Sequence, residues 1–283
     1  MNPYVEIIRP GNVIMAIIAV VLVAILGKSI NIPIILAMLC VFFAMSAGNV
    51  INDYFDYKID LINKPQRPIP SGRISLKGAK NYAYILFILA AIVGFIISYL
   101  VGTWIPCAIV IFSDIVLYLY AYKLKSTPLI GNLTVGFMTG LCFIFAGYTF
   151  NNPLIIYESY LLAFFALIMT TAREITKDIE DMKGDEAEGA KTFPILYGSK
   201  IAAITAIILI IIDCALCPLL YIYHIFNINY LAVVSIAVLI FLYGAILLRN
   251  QDSETAAKVS KYLKIGMLIA FIAFAIGSFT ITF

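Results

Sequence analysis

Apolar residues run through this chain in long stretches, and the polar residues fall almost entirely in the short gaps between them. A bilayer core about 30 Å thick needs about 20 apolar residues of helix, fewer where the helix ends are interfacial. By that measure the pattern predicts nine spanning helices, at roughly 12–28, 32–52, 79–101, 104–122, 130–150, 155–175, 200–223, 230–248 and 262–282. The second and sixth are expected to continue past the membrane as helices with polar tips. The predicted fold class is an all-α polytopic membrane protein of nine transmembrane helices in one bundle, with residues 1–283 forming a single membrane-embedded domain.

Composition agrees with this pattern and excludes a soluble protein. Of the 283 residues, 63% are hydrophobic and only 12% charged, against about a quarter charged in soluble chains. The mean hydropathy is +1.02. The net charge of +3 says less than its distribution. With the N-terminus inside, all but Lys28 of the 19 Lys and Arg residues fall on the cytoplasmic side, as the positive-inside rule requires. The C-terminus is then external. The external connections, near 28–31, 102–104, 151–153 and 224–229, are short and leave no room for an extracellular domain. No cleavable signal is expected, because Glu6 and Arg9 precede the first apolar run and no small-residue cleavage pattern precedes Lys28.

Several residues invite a chemical reading that their context does not support. Cys40, Cys107, Cys142, Cys214 and Cys217 all lie in apolar runs. Cys214 and Cys217 form a CxxC, but Pro218 follows and there is no second pair, so packing is the simpler reading than metal or redox chemistry. His224, the only histidine, sits at the outer end of the seventh span and is read as structural. Asp114 and Asp213 fall in mid-span, where ionisable groups are costly and face the bundle interior. Either could serve a proton relay. Hydrogen bonding to a neighbouring helix, or lining of a cavity, is simpler.

The chemistry concentrates in two acid triads. Asp53, Asp56 and Asp60 are spaced i, i+3, i+7, which on a helix places all three within roughly 60° of one face. Asn49 shares that sector and Asn52 flanks it. Pro65, Pro68 and Pro70 then forbid the helix to continue. Asp178, Asp181 and Asp185 repeat the spacing at the end of another long apolar segment. Like charges on one strip repel, which a multivalent cation, or a polyphosphate held through one, would relieve. Two acid-tipped helices facing one another across a shared metal–diphosphate site are one reading. Two solvated acidic caps are the other. Basic and polar residues lie at the same predicted depth: Arg9, Asn12, Lys64, Arg67, Arg73, Tyr120, Tyr122, Lys123, Lys125, Asn132, Arg173, Lys177 and Lys191. They could neutralise the acids or bind phosphate oxygens. A transporter would hold its site near the bilayer midplane, and a divalent-cation pore would need an acidic stripe along a span. Neither pattern is present.

The first motif, Asn52-Asp53-x-x-Asp56-x-x-x-Asp60, and the second, Asp181-x-x-x-Asp185, set in nine predicted spans, resemble the UbiA-type intramembrane prenyltransferase superfamily over essentially the whole chain. Tyr120-Ala-Tyr122-Lys-Leu-Lys125 and Asn132 add to the match. Arg9-Pro10-x-Asn12 and the string from Asn63 to Arg73 look most like an archaeal branch, whose members join a geranylgeranyl group from geranylgeranyl diphosphate to geranylgeranylglyceryl phosphate. The resemblance implies a bundle around a central cavity that opens to the cytoplasm and laterally to lipid. It also implies Mg²⁺ as cofactor, held with an isoprenyl diphosphate by Asn52, Asp56, Asp60, Asp181 and Asp185. Asp53 and Asp178 would ligate or position basic residues. Lys64, Arg67, Lys123, Lys177 and Lys191 become candidates for the diphosphate, and Arg9, Arg73 and Lys125 for an acceptor phosphate. Tyr120, Tyr122, Asn132, Asn49 and Asn12 become candidates for carbocation or substrate positioning. The expected partners are a prenyl diphosphate, a lipid-like acceptor and the membrane, with no nucleic acid. A ring acceptor, as in quinone, haem or chlorophyll synthesis, is the alternative within the superfamily.

Overall fold

The computed structural model describes residues 2–187 and 189–278, apart from the side chains of 183 and 187. Among these residues all regular structure is helical. In chain order the α-helices are α1 (Pro3–Ile7), α2 (Pro10–Leu26), α3 (Ile32–Phe55), α4 (Tyr57–Asn63), α5 (Leu76–Val101), α6 (Ile105–Tyr122), α7 (Ile130–Tyr148), α8 (Pro153–Ala187), α9 (Phe193–Tyr197), α10 (Ser199–Ile222), α11 (Ile228–Leu247) and α12 (Ser253–Ser278). Short polar side chains start several of them: Asn31 accepts from Ile34 N, Ser75 from Gly78 N and Asn227 from Tyr230 N, the usual N-cap bond to an orphan amide.

Among the described residues, eight helices are long and apolar enough to cross a membrane. The first predicted span is the shorter α2, whose 17 residues measure about 26 Å at helical rise. One boundary and the course of one helix differ from the sequence pattern, and one predicted extension is present. α12 starts at Ser253 rather than near 262, because Asp252 caps a polar first turn by accepting from Thr255 N at 2.8 Å. The predicted end of that span, beyond 278, lies outside the described residues. α8 runs unbroken for 35 residues, about 52 Å, so it outlasts the bilayer core as expected. The helix carrying the first triad does not stay straight. It bends at Asp56, where α3 ends and α4 begins; the residue stays in the right-handed helical region (φ −80°, ψ 0°), and Asp56 N→Asn52 O (2.9 Å) and Asp60 N→Asp56 O (2.8 Å) keep the ladder connected into α4.

The chain groups into two compact units: residues 1–125 with 141–159, and 126–140 with 160–283. In the first, α3 packs against α2, α5 and α6. The buried face of α5 is Ala79, Ala83, Leu86, Ala90, Val93, Gly94 and Ile97, mostly small residues that let helices approach in lipid. A Cβ at Gly94 would lie 2.9 Å from Val110 of α6. The opposite stripe, Ile85, Ile88, Ile92, Phe95 and Tyr99, is exposed and suits lipid contact. In the second unit α11 packs on α10 and α12, around a core that includes Ala202, Ala206, Ile210, Phe241, Val259 and Leu263. Here α7 and α8 touch closely: a Cβ at Gly136 would lie 2.6 Å from Leu167 O, and one at Gly140 2.7 Å from Ala163 O. That close approach fixes α8 just before its acid-bearing segment.

Candidate active site

The first acid cluster is assembled wholly within the first unit. α3 supplies Asn49, Asn52 and Asp53, the bend supplies Asp56, and α4 supplies Asp60. Asp53 and Asp60 are each only 3% exposed, a burial two carboxylates tolerate only with cations between them. Arg67 provides one, with Nη1 donating to Asp60 at 2.6 Å and to Asp53 at 3.2 Å. Asp53 is also paired with Arg9. Arg9 holds a left-handed backbone (φ 52°, ψ 71°) at the corner between α1 and α2, and Asn49 Nδ2 secures that corner by donating to the Ile8 carbonyl at 2.7 Å. Asp56 is paired with Lys125 and accepts from Asn52 Nδ2 at 2.8 Å.

The loop after α4 brings Arg67 back to these acids. Ser71 N donates to Arg67 O and Ile74 N to Pro68 O, each at 3.0 Å, while Gly72 takes the positive φ of 74° that the turn requires. Ile69 and Ile74, each 3% exposed, anchor the loop in the core. Arg73 points elsewhere. It makes a two-pronged ion pair with Glu6 (2.7 and 2.9 Å) and donates to Ser71 Oγ and the Gln66 carbonyl. Its hydrogen bond holds the Glu6 carboxyl below the ordinary carboxylate range. Beside the bend, the Phe55 ring meets Tyr54 at 5.2 Å, Tyr118 at 5.5 Å and Tyr122 at 5.4 Å, so an aromatic surface adjoins the acids.

The second triad belongs to the second unit and is differently set. Asp178, half-buried, accepts from Asn132 Nδ2 at 2.8 Å. Asp181 is exposed and Asp185 half-buried. Arg173 and Lys177 are drawn to Glu174, at 2.8 and 3.1 Å. The helix tip is braced by Ser253 Oγ, which donates to the Glu180 carbonyl at 2.6 Å, and by Ser199 Oγ, which lies 3.4 Å from Met182 Sδ.

A profile of the UbiA prenyltransferase family matches residues 12–277. The chain belongs to that family. It is 90% identical, over the whole length of both chains, to the digeranylgeranylglyceryl phosphate synthase of Methanobrevibacter smithii. A solved structure described as giving insights into digeranylgeranylglyceryl phosphate synthase in membranes is 40% identical, with a TM-score of 0.82 over 98% of this chain and 97% of that one. A UbiA homolog from Archaeoglobus fulgidus, bound to GPP and Mg²⁺, is 17% identical with a TM-score of 0.63 over 95% of this chain and 99% of that one, a likeness of fold.

In this UbiA prenyltransferase, a family whose enzymes transfer prenyl groups, the residues expected from sequence divide into three sets. Arg9, Asp53, Arg67 and Asp60 form one connected group, Asn52, Asp56 and Lys125 a second beside it, and Asn132 joins Asp178. Asn12, Lys64, Tyr122, Lys123, Lys191 and Asp181 stand exposed, and Tyr120 is half-buried. Asp185 is half-buried, and Arg73, Lys177 and Asn49 are occupied otherwise than expected, the first two by Glu6 and Glu174, and Asn49 by the Ile8 carbonyl. Among the described residues no three His, Cys, Asp or Glu side chains converge closely enough to hold a metal ion; the first-triad acids meet Arg9, Arg67 and Lys125 instead. Two participants had no role in the sequence reading. Phe55 carries no signal in a chain this rich in aromatics, and Glu6 lies 67 residues from its partner. The Glu174–Lys177 pair, in contrast, follows from helical spacing.

Proposed function

We propose that the chain transfers a geranylgeranyl group from geranylgeranyl diphosphate to the free hydroxyl of geranylgeranylglyceryl phosphate, forming the second ether bond of archaeal membrane lipids. The observation that carries this reading is the full-length match, at 90% identity, to the Methanobrevibacter smithii synthase. In the reaction the bond from C1 of the prenyl chain to the diphosphate oxygen breaks, the acceptor oxygen bonds to C1, and its proton leaves. The oxygen-rich donor set suits Mg²⁺, a hard cation bound through a few carboxylates together with substrate phosphates. Asn52, Asp56, Asp60, Asp181 and Asp185 would hold it, with Asp53 and Asp178 behind them. Bound there, it would neutralise charge on the departing diphosphate.

The chain's own residues supply the remainder. Arg67, shared between Asp53 and Asp60, is placed to turn a donor toward phosphate oxygen, and Lys64, Lys123, Lys177 and Lys191 extend that basic set. Arg9, Arg73 and Lys125 are assigned to the acceptor phosphate, with Arg73 needing release from Glu6. The aromatic surface of Phe55 and Tyr122, with Tyr120 the other candidate ring, would stabilise the allylic cation through its π faces. Asn132, bonded to Asp178, keeps the second triad in register. We read α2 as the ninth span, all nine forming one domain around a cavity open laterally to lipid, with the N-terminus and site cytoplasmic and the C-terminus external, as the basic residues favour.

Purified protein given Mg²⁺, labelled geranylgeranyl diphosphate and either geranylgeranylglyceryl phosphate or 4-hydroxybenzoate tests the acceptor. A labelled product from the lipid alone supports the reading. Prenylation of the aromatic acid instead would overturn it while leaving family membership intact.

A further inference from the structure

The second unit contains a small cavity of about 30 Å³, bordered by α7, α8, α10, α11 and α12. Its walls are mostly apolar, with Phe165, Met169, Phe241 and Phe274 among them, and three side chains bring oxygen to it: Thr139, Thr170 and Asp213. Thr139 donates its hydroxyl proton to the Val135 carbonyl at 2.8 Å, as Thr171 and Thr176 do to carbonyls one turn back. Thr170 does not. It is 5% exposed, and its hydroxyl has no hydrogen-bond partner among the described residues. Asp213 is 3% exposed and its Oδ1 is likewise unpartnered. The Tyr230 hydroxyl already donates to the Cys217 carbonyl at 3.0 Å. Buried polar atoms are nearly always hydrogen-bonded, to protein or to ordered water. Here two orphaned oxygens, one from α8 and one from α10, border one cavity.

We infer that a water molecule is bound in this cavity, donating to Asp213 Oδ1 and accepting from the Thr170 hydroxyl, so that it ties α10 to α8. A buried water needs about 10–15 Å³ of such space and two to four polar partners. This cavity has room for about one or two waters, and it presents two oxygens that lack a bond. The Thr139 oxygen, which has given its own proton to Val135, can accept the water's second one. Other occupants fit worse. The space is too small for a lipid chain, and among the described residues no Lys, Arg or His lines it to receive an anion. A divalent metal would find one carboxyl and two hydroxyls where about six oxygens are needed. Polar side chains commonly join helices within a membrane, and here the join runs through water. Thr170 precedes Asp178 on α8 by about 12 Å at helical rise. The bridge therefore braces the helix that carries the second triad without touching the triad itself.

X-ray hydroxyl-radical footprinting of the full-length protein in lipid nanodiscs tests this, because radicals made from a bound water oxidise the side chains beside it. Phe241 borders the cavity and is 2% exposed, whereas Phe143 belongs to the first unit, is 0% exposed and does not border it. Phe241 should be hydroxylated about tenfold faster than Phe143 if a water is held beside it. Thr170→Val, which keeps the side chain's shape but removes its hydroxyl, should bring the two rates within about twofold. Equilibrium unfolding in mixed micelles gives a second readout. Thr170→Val and Asp213→Leu should each raise the unfolding constant about tenfold, since each leaves the other oxygen and the water short of a bond. The double variant should fall about tenfold below the product of the two, because removing both partners leaves no orphan. Hydroxylation of Phe241 no faster than that of Phe143 overturns the inference, as does a double variant whose effect equals the product of the singles. Because no transfer is measured, its failure is separable from failure of the proposed reaction.

Discussion

The two acid triads share one spacing and almost nothing else. In the first, the backbone bends at Asp56, Asp53 and Asp60 are buried, and Arg9, Arg67 and Lys125 pair with the three carboxylates. In the second, the helix is continuous, Asp181 is exposed, and the adjacent cations Arg173 and Lys177 are engaged by Glu174. A carboxylate that stays charged when buried needs a cation or strong donors beside it, and the first triad has its cations in place, so it is woven into the fold. An exposed one is solvated and can be altered without structural cost. The same sequence signal therefore marks one site where function and stability are entangled and another where they are separable.

The largest expected effect tests whether both triads serve one reaction. Asp56→Ala and Asp181→Ala should each lower turnover about a thousandfold, equivalent to about 4 kcal/mol. EDTA should do the same, reversibly on adding Mg²⁺. Asp181→Ala should leave the melting temperature unchanged. Near wild-type turnover in either variant would sink the shared role.

Stability should separate the triads next. Asp53→Ala strips Arg9 of its carboxylate and leaves Arg67 to Asp60 alone, and Asp53 is 4% exposed on its side chain. Breaking such a pair costs about 3 kcal/mol. Asp178→Ala forfeits only the bond from Asn132, about 1 kcal/mol. Equilibrium unfolding in mixed micelles measures both, and equal losses would erase the contrast.

How much of this was readable beforehand follows from where each interaction is encoded. The apolar runs announced the helices because lipid-facing stripes such as Ile201, Ile204, Ile208 and Ile211 and small-residue inner faces are local patterns. The acid clusters were local too. The bend at Asp56 was not, since i, i+3, i+7 fits a straight helix equally well. Nor was the pairing: Arg9 meets Asp53 across 44 positions, and Arg73 meets Glu6 across 67. Local spacing could name the cations near the acids but could not say which one each acid receives. Helix starts at Ser253 and Pro153 preceded the apolar runs because capping, not hydropathy, sets where a helix begins.

A smaller effect probes how the second triad is held. Gly136→Ala would put a Cβ 2.6 Å from Leu167 O and push α7 from α8, loosening the Asn132–Asp178 bond. The expected loss is about 2 kcal/mol, read by thermal denaturation. Gly11→Ala is the control, because a Cβ there meets nothing within 4 Å and alanine favours a helix interior. Equal destabilisation by both would show that the α7–α8 contact is not the source of the cost.

The smallest effect belongs to the Glu6–Arg73 pair, which has good geometry but lies at the surface. Arg73 holds the Glu6 carboxyl below its ordinary range, so its stabilisation is fully present above the unfolded value near 4.5. It fades as pH falls through the lower folded value. Melting temperature followed from pH 7 to pH 4 should therefore show a slight acid-side loss that Glu6→Gln abolishes. High salt should weaken this pair even at pH 7, because exposed charges are screened, while the bridge from Arg67 to Asp53 and Asp60 should resist salt. If Glu6→Gln at pH 7 destabilised the protein as strongly as Asp53→Ala, burial would not be what distinguishes the cations around the first triad. If the same variant also lowered the KM for geranylgeranylglyceryl phosphate, release of Arg73 would be the step that prepares the acceptor pocket.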